Sequence, residues 1–185
     1  MEIMEKRELR KIYKEKRRAL TDSAIAAFEK NIYTQIQQMD WSSVSVIHIF
    51  LPIKQQKEIN TYPIIDFLRS LKKSIVISKS DFKTNKLSHF LFDEDTSLVL
   101  NSYGIPEPVN AKEIAVSNID LIFVPLLISD ARKYRVGYGK GFYDRFIADC
   151  KREVITVGIN FFQPIQKITD IHKYDMALSQ VIYPI

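Results

Sequence analysis

The chain has 185 residues, of which 46% are hydrophobic and 26% charged; that balance fits one ordinary globular domain with a sizeable core and excludes collagen-like, low-complexity and disordered classes. The single cysteine, Cys150, excludes an intrachain disulfide framework and a cysteine-rich zinc site, and no apolar run is long enough to span a bilayer. A formal net charge of +5 favours an anionic partner, whether nucleic acid, nucleotide or polyanionic metabolite.

The N-terminus is charged and amphipathic, without the apolar core of a signal peptide, so a cytoplasmic protein is expected. From Glu5 to Leu20, Leu9, Ile12, Tyr13 and Leu20 recur at helical spacing. Lys6, Arg7, Arg10, Lys11, Lys14, Lys16, Arg17 and Arg18 outnumber Glu2, Glu5, Glu8 and Glu15 there, with Glu2 expected to pair with Lys6. Lys6 and Arg10 share a face, being four residues apart. Thr21 or Asp22 caps a second helix to about Gln38. Val44 to Phe50 is the first strand, followed by the polar loop 54–58. Asn60 or Thr61 then caps a helix through Leu71, with Ile64, Ile65, Leu68 and Leu71 inward.

Ser74–Ser78 and Leu87–Phe92 read as strands around a turn at Lys83–Asn85, and His48 in its strand reads as structural. Residues 93–110 show no period, although Tyr103 to Pro108 must be extended or turning because residues before proline avoid the helical region. Ile119–Val124 is the strongest buried strand. It is followed by a connection, a helix from Phe142 to Cys150, a strand Val154–Ile159 and a short last strand within 179–183. This alternation predicts an α/β fold, with a mixed, largely parallel central sheet flanked by helices in a Rossmann-like three-layer architecture. Loops after such strands share one edge, so the 54–58 loop and the glycine-rich loop within 135–144, reached through the connection after Val124, are expected to open on a common site.

Three of the five glycines fall at alternate positions in Arg135-Val136-Gly137-Tyr138-Gly139-Lys140-Gly141-Phe142-Tyr143-Asp144. Glycines here give close backbone approach, and Arg135 and Lys140 can neutralise phosphate oxygens, the first by a planar fork and the second as a point charge. The alternative is a flexible glycine turn. The nucleotide P-loop fails, because Gly139-Lys140 is followed by Gly141 rather than Ser or Thr, and the dinucleotide fingerprint fails on glycine spacing. Asp144 suits a magnesium ion beside phosphates, or else caps the next helix.

This glycine stretch resembles the signature of the 5-formyltetrahydrofolate cyclo-ligase family, also called 5,10-methenyltetrahydrofolate synthetases. Lys6-Arg7-Glu8-Leu9-Arg10, Glu58-Ile59-Asn60-Thr61, Ile105-Pro106-Glu107-Pro108 and Asp120 to Pro125 are also similar to family segments, in order from residue 6 to about 183. The chain departs from the family's pattern at Phe142, where tyrosine is usual, and after Asp175. The resemblance implies an ATP-dependent conversion of 5-formyltetrahydrofolate to 5,10-methenyltetrahydrofolate, with magnesium and release of ADP and phosphate. By motif, ATP would be contacted by Lys6, Arg7, Glu8, Leu9 and Arg10 and by Arg135, Val136, Gly137, Tyr138, Gly139, Lys140, Gly141, Phe142 and Tyr143. The folate would be contacted by Arg10, Ile53, Glu58, Tyr138, Gly139, Lys140, Gly141 and Phe142. Arg135 and Lys140 would supply catalytic charge, and Asp144 and Asp175 would hold magnesium. The resemblance implies ATP and 5-formyltetrahydrofolate as partners, with no nucleic acid, no membrane and a monomeric chain. The alternatives are a nucleic-acid module on the basic first helix and a non-catalytic nucleotide- or folate-binding relative.

Overall fold

Residues 3–185 are described by the computed structural model, and the expected Glu2–Lys6 pair lies outside them. The chain runs β1 (Ile3–Met4), α1 (Lys6–Ala19), α2 (Asp22–Gln37), β2 (Val46–His48), α3 (Tyr62–Ser70), β3 (Ser74–Asp81), β4 (Lys86–Leu91), β5 (Ser97–Leu100) and β6 (Pro106–Val109). It continues through β7 (Leu121–Pro125), β8 (Ile128–Ser129), β9 (Arg135–Val136), α4 (Phe142–Asp149), β10 (Ile155–Ile159), β11 (Lys167–Ile168) and β12 (Gln180–Ile182).

The central sheet has the order β12-β10-β7-β2-β3-β4. Its first five strands are mutually parallel, and β4 returns antiparallel to β3. Such a sheet is buried on both faces, which is why its central strand reads as an unbroken apolar run. Along β7 the side chains alternate. Leu121 and Phe123 pack with Ile32 and Ile36 of α2 and Ile64 and Leu68 of α3. Ile122 and Val124 pack on the opposite face with Phe146 and Ile147 of α4. This is the expected three-layer arrangement, and each fully buried aliphatic side chain contributes about 1.5–3 kcal/mol.

The helix starts differ in chemistry. Thr21 Oγ1 caps α2 by accepting from Ala24 N at 3.2 Å. Thr61 precedes α3, but its hydroxyl donates to Phe50 O at 2.7 Å and so ties the helix start to the segment just after β2. Leu71, expected inward, is 39% exposed because α3 ends at Ser70. Residues 93–110, which showed no period, contain the antiparallel β5–β6 hairpin. Its prolines at 106 and 108 cannot donate to a ladder, so the pattern of a half-buried strand is blurred.

Helix α1 does not lie on the sheet. Its Leu9 and Tyr13 pack against Leu127, Ile128 and Val136 around the β8–β9 hairpin and against Ile165 and Ile168. Because β8–β9 follows β7 and leads into the glycine stretch, α1 is carried to the carboxyl edge of the sheet. None of the described helices is long and apolar enough to cross a membrane.

Candidate active site

A cavity of ≈ 570 Å³ opens at that edge. The loop after β2 contributes Phe50, Leu51, Ile53 and Glu58, and the β3–β4 hairpin contributes Ile77, Ser78, Phe82 and Leu87. The β5–β6 hairpin adds Tyr103, Ile105 and Pro106. Arg135, Gly137 to Asp144, Asp175, and Lys6 and Arg10 of α1 complete the wall. The two loops expected to share a site therefore do so. Four residues of the expected ATP set are not on the wall: Arg7, Glu8, Leu9 and Val136. Arg7 and Glu8 are exposed, whereas Leu9 and Val136 are in the core. Helical periodicity explains the first three, since only the Lys6–Arg10 stripe turns toward the cavity. Val136 points the other way because side chains alternate along β9.

Part of the cavity wall is cationic. Arg10 Nε donates to Gly137 O at 2.9 Å, and its guanidinium lies over Gly139, where a methyl group would be 3.3 Å from Arg10 Cζ. Gly139 has φ +97° and Gly141 φ +68°, conformations that glycine reaches without the usual Cβ penalty. Gly141 leads directly into α4, whose first amides carry the positive end of the helix dipole. Lys140 is exposed on this loop. Arg135 is buried, with Nη2 donating to Asp144 Oδ1 at 2.8 Å and Nη1 to Met176 O at 2.8 Å. Lys6 Nζ pairs with Asp175 Oδ2, which also accepts from His172 N at 2.6 Å. Burial pushes the Asp175 carboxyl up, but the bonds from Lys6 and His172 N outweigh it and hold the group below its ordinary range.

Another part of the wall is acidic and aromatic. Glu58 Oε2 accepts from Ile53 N at 2.8 Å, and Oε1 accepts from Tyr138 Oη at 2.6 Å. Glu58 faces the cavity with protein packed behind it. Burial raises its pKa against the bonds from Tyr138 and Ile53 N and the charge of Arg17. Phe82 stacks on Tyr103 at 4.1 Å between centroids and meets Phe142 edge-on at 5.3 Å. A planar ring entering here meets aromatic faces and one carboxylate. A polyanion entering the cavity meets Lys6, Arg10, Lys140 and backbone N–H groups.

A family model described as the 5-formyltetrahydrofolate cyclo-ligase family matches residues 2–184. The chain belongs to this family. A 5-formyltetrahydrofolate cyclo-ligase of Mus musculus is 29% identical over 148 residues, covering 74% of this chain and 72% of that one. One from Mycoplasma genitalium is 24% identical over 180 residues, covering 95% and 97%. The solved structure of Aquifex aeolicus 5,10-methenyltetrahydrofolate synthetase shares the fold, with a TM-score of 0.81 at 22% identity over 97% of this chain and 89% of that one.

Within the cyclo-ligase frame, Asp144 and Asp175 can be tested as magnesium ligands. Among the described residues no group of three or more His, Cys, Asp or Glu side chains forms a metal cage. Magnesium does not require one, since one or two carboxylates plus substrate phosphates commonly suffice. Both aspartates line the cavity, paired with Lys6 and Arg135. Their bonds use Asp144 Oδ1 and Asp175 Oδ2, and the second oxygen of each carboxylate takes no part in them. The donor set fits a hard cation shared with a polyphosphate.

Sequence reasoning missed several residues. Arg17 was counted only as one cation of a basic helix, yet it is buried and bonded to Tyr138. Its place seven residues after Arg10, two helical turns along the same stripe, was the available signal. Phe82 and Tyr103 meet only because the β5–β6 hairpin packs beside the β3–β4 hairpin, which composition does not encode. His48, expected to be structural in its strand, comes together with His89, their ring centroids 5.4 Å apart. Both contact Ser78, a cavity residue, with His48 Nε2 at 2.5 Å and His89 Nδ1 at 3.5 Å from its hydroxyl.

Proposed function

We propose that this chain catalyses the ATP-dependent closure of 5-formyltetrahydrofolate to 5,10-methenyltetrahydrofolate. The observation that carries the reading is one cavity whose wall carries both a cationic glycine cradle and a carboxylate with aromatic faces. Each set of groups suits one substrate. The triphosphate lies against Lys6, Arg10, Lys140 and the backbone of residues 137–141, with its terminal phosphoryl group directed toward the folate. Asp144 and Asp175 would hold magnesium, whose charge would offset that of the phosphate oxygens. The pterin enters between the aromatic side chains, and its adjacent N–H donors meet the Glu58 carboxylate, an acceptor-only group.

The chemical problem is a formyl oxygen that is a poor leaving group. It attacks the terminal phosphorus, the bond to the bridging oxygen breaks, and ADP departs. The N5-formyl group is then a phosphorylated iminium, and the N10 lone pair attacks its carbon. Loss of phosphate and of the N10 proton leaves the methenyl bridge between N5 and N10. The protein's task is orientation and stabilisation of charge on the transferred phosphoryl group. Lys140 is the exposed cation for that work, and Arg135 acts through Asp144 by fixing its carboxylate.

The deciding experiment mixes purified protein with ATP, magnesium and 5-formyltetrahydrofolate and follows the methenyl chromophore together with ADP. Equal yields of the two are expected. Binding of both substrates without turnover, at high enzyme concentration, would mark the chain as a non-catalytic relative.

A further inference from the structure

Arg17 is unusual among the cations of α1. Arg7, Lys11, Lys16 and Arg18 are exposed, whereas Arg17 is 5% exposed. Its Nη2 donates to Leu126 O at 2.5 Å and its Nη1 to Tyr138 Oη at 3.0 Å. Its Nε is buried without a hydrogen-bond partner among the described residues, and no carboxylate there forms a direct salt bridge to it. Burying a guanidinium on such terms is costly, and a well-packed apolar side chain would avoid that cost. A purely structural role therefore explains it poorly.

The carboxylate that benefits is Glu58. Tyr138 Oη accepts from Arg17 and donates its own proton to Glu58 Oε1 at 2.6 Å, so one phenol links the two charges. Arg17 and Glu58 also border one small gap of ≈ 10 Å³, so little protein separates them. We infer that Arg17 is a positioning residue: acting through Tyr138, it holds Glu58 as an oriented anion for the folate. The inference rests on the cyclo-ligase reading of the cavity. Its physical content is a choice between two forms of Glu58. As an anion, with one oxygen bonded to Tyr138 and the other to Ile53 N, Glu58 offers its remaining lone pairs to N–H donors. As an acid it would present a proton to those same donors.

Burial favours the acid, while Arg17, Tyr138 and Ile53 N oppose it. Tyr143, from α4, is the other titratable group that interacts with this carboxylate, and its own phenol is pushed up by burial and by Glu58. The link also joins two elements of the site. Arg17 shares α1 with Lys6 and Arg10, which line the cavity, while Tyr138 belongs to the glycine loop.

The test uses the full chain with Arg17→Met, Arg17→Gln and Arg17→Lys. In ligand-free protein, carbon-detected NMR follows the Glu58 carboxyl through its titration. The midpoint should rise by about one pH unit or more in the two neutral variants, as expected when a nearby opposite charge is removed. Arg17→Lys, which keeps the charge, should fall nearer the wild type. In turnover assays near pH 6.5, the KM for 5-formyltetrahydrofolate should rise about tenfold in the neutral variants while that for ATP moves less than about twofold. The folate defect should shrink as pH is raised and Glu58 deprotonates. An unmoved midpoint, or an unmoved folate KM, in a folded and active neutral variant overturns the inference. Failure of both neutral variants to fold would also overturn it, by making Arg17 a structural residue. A wild-type protein without turnover would sink the cyclo-ligase reading instead, and the ligand-free titration would still decide whether Arg17 sets the state of Glu58.

Discussion

Arg135 Nη2 lies 2.8 Å from Asp144 Oδ1, and that same oxygen accepts from Met176 N at 3.2 Å. The arginine is thus committed: one arm holds the aspartate and the other holds Met176 O. The side chains are 6% and 29% exposed, respectively, so the pair is largely shielded from solvent. Removing one partner of a shielded ion pair leaves an uncompensated charge. Arg135→Ala should therefore lower stability by about 2–3 kcal/mol, less than for a fully buried pair because Asp144 retains some contact with water. Urea unfolding measures this. Asp144→Asn should raise the magnesium concentration needed for half-maximal turnover. A variant of Arg135 with wild-type stability would show that the pair does not brace the start of α4.

Lys140 provides the contrast. It is exposed on the glycine loop, and among the described residues it has no salt bridge. Lys140→Ala should leave stability within about 0.5 kcal/mol of wild type, as for other surface substitutions. If Lys140 meets charge that develops during phosphoryl transfer, kcat/KM should fall by about 30- to 1000-fold, or roughly 2–4 kcal/mol. Steady-state kinetics alongside a thermal melt separate the two effects. An unchanged rate would confine the loop's contribution to its backbone.

Much of this arrangement was legible in the letters. The apolar run of β7 and the stripes of α2 and α3 gave the layers, because burial imposes a period on each element. The glycine loop was legible because its backbone demands are written in residue type, as the positive φ angles of Gly139 and Gly141 bear out. What escaped depended on how separate hairpins pack on one another. The Phe82–Tyr103 stack joins the β3–β4 turn to the β5–β6 turn, and prolines in β6 hide that hairpin's period. The ion pairs of Asp144 and Asp175 escaped for a related reason. Sequence spacing identified both carboxylates but carries no information about which cation folds against each one.

Glu58 tests the folate contact on its own. Glu58→Gln keeps the shape but loses the charge, and it turns one of the two acceptor oxygens into a donor. If the amide oxygen keeps the bond from Ile53 N, the Tyr138 contact must reverse, with the amide donating to Tyr138 Oη; if it keeps Tyr138, the bond from Ile53 N is lost. The KM for 5-formyltetrahydrofolate should rise about tenfold or more, the scale of a hydrogen bond to a charged group, while the ATP KM changes little. Equal increases in both constants would mean that Glu58 braces the loop rather than meeting the folate.

The last prediction concerns acid stability. His48 is fully buried and His89 is 4% exposed, and both lie against Phe146, with centroids 4.8 and 4.0 Å away. Burial, with some repulsion from His89, holds His48 well below its ordinary value, and burial holds His89 at about 4. Both are therefore neutral in the folded protein at pH values where the unfolded chain takes up protons. From about pH 6.5 down to about 4 the unfolded state binds more protons, so stability falls as pH falls, by up to about 1.4 kcal/mol per pH unit for each histidine. Glu58 acts in the opposite sense, because its raised pKa lets the folded state bind a proton first. The histidine contribution is isolated by urea unfolding of wild type and His89→Gln at pH 7, 6 and 5. The variant should start less stable at pH 7, having lost its packing on Phe146, yet lose less stability per pH unit on acidification. Parallel stability profiles for the two proteins would place the proton uptake elsewhere in the fold.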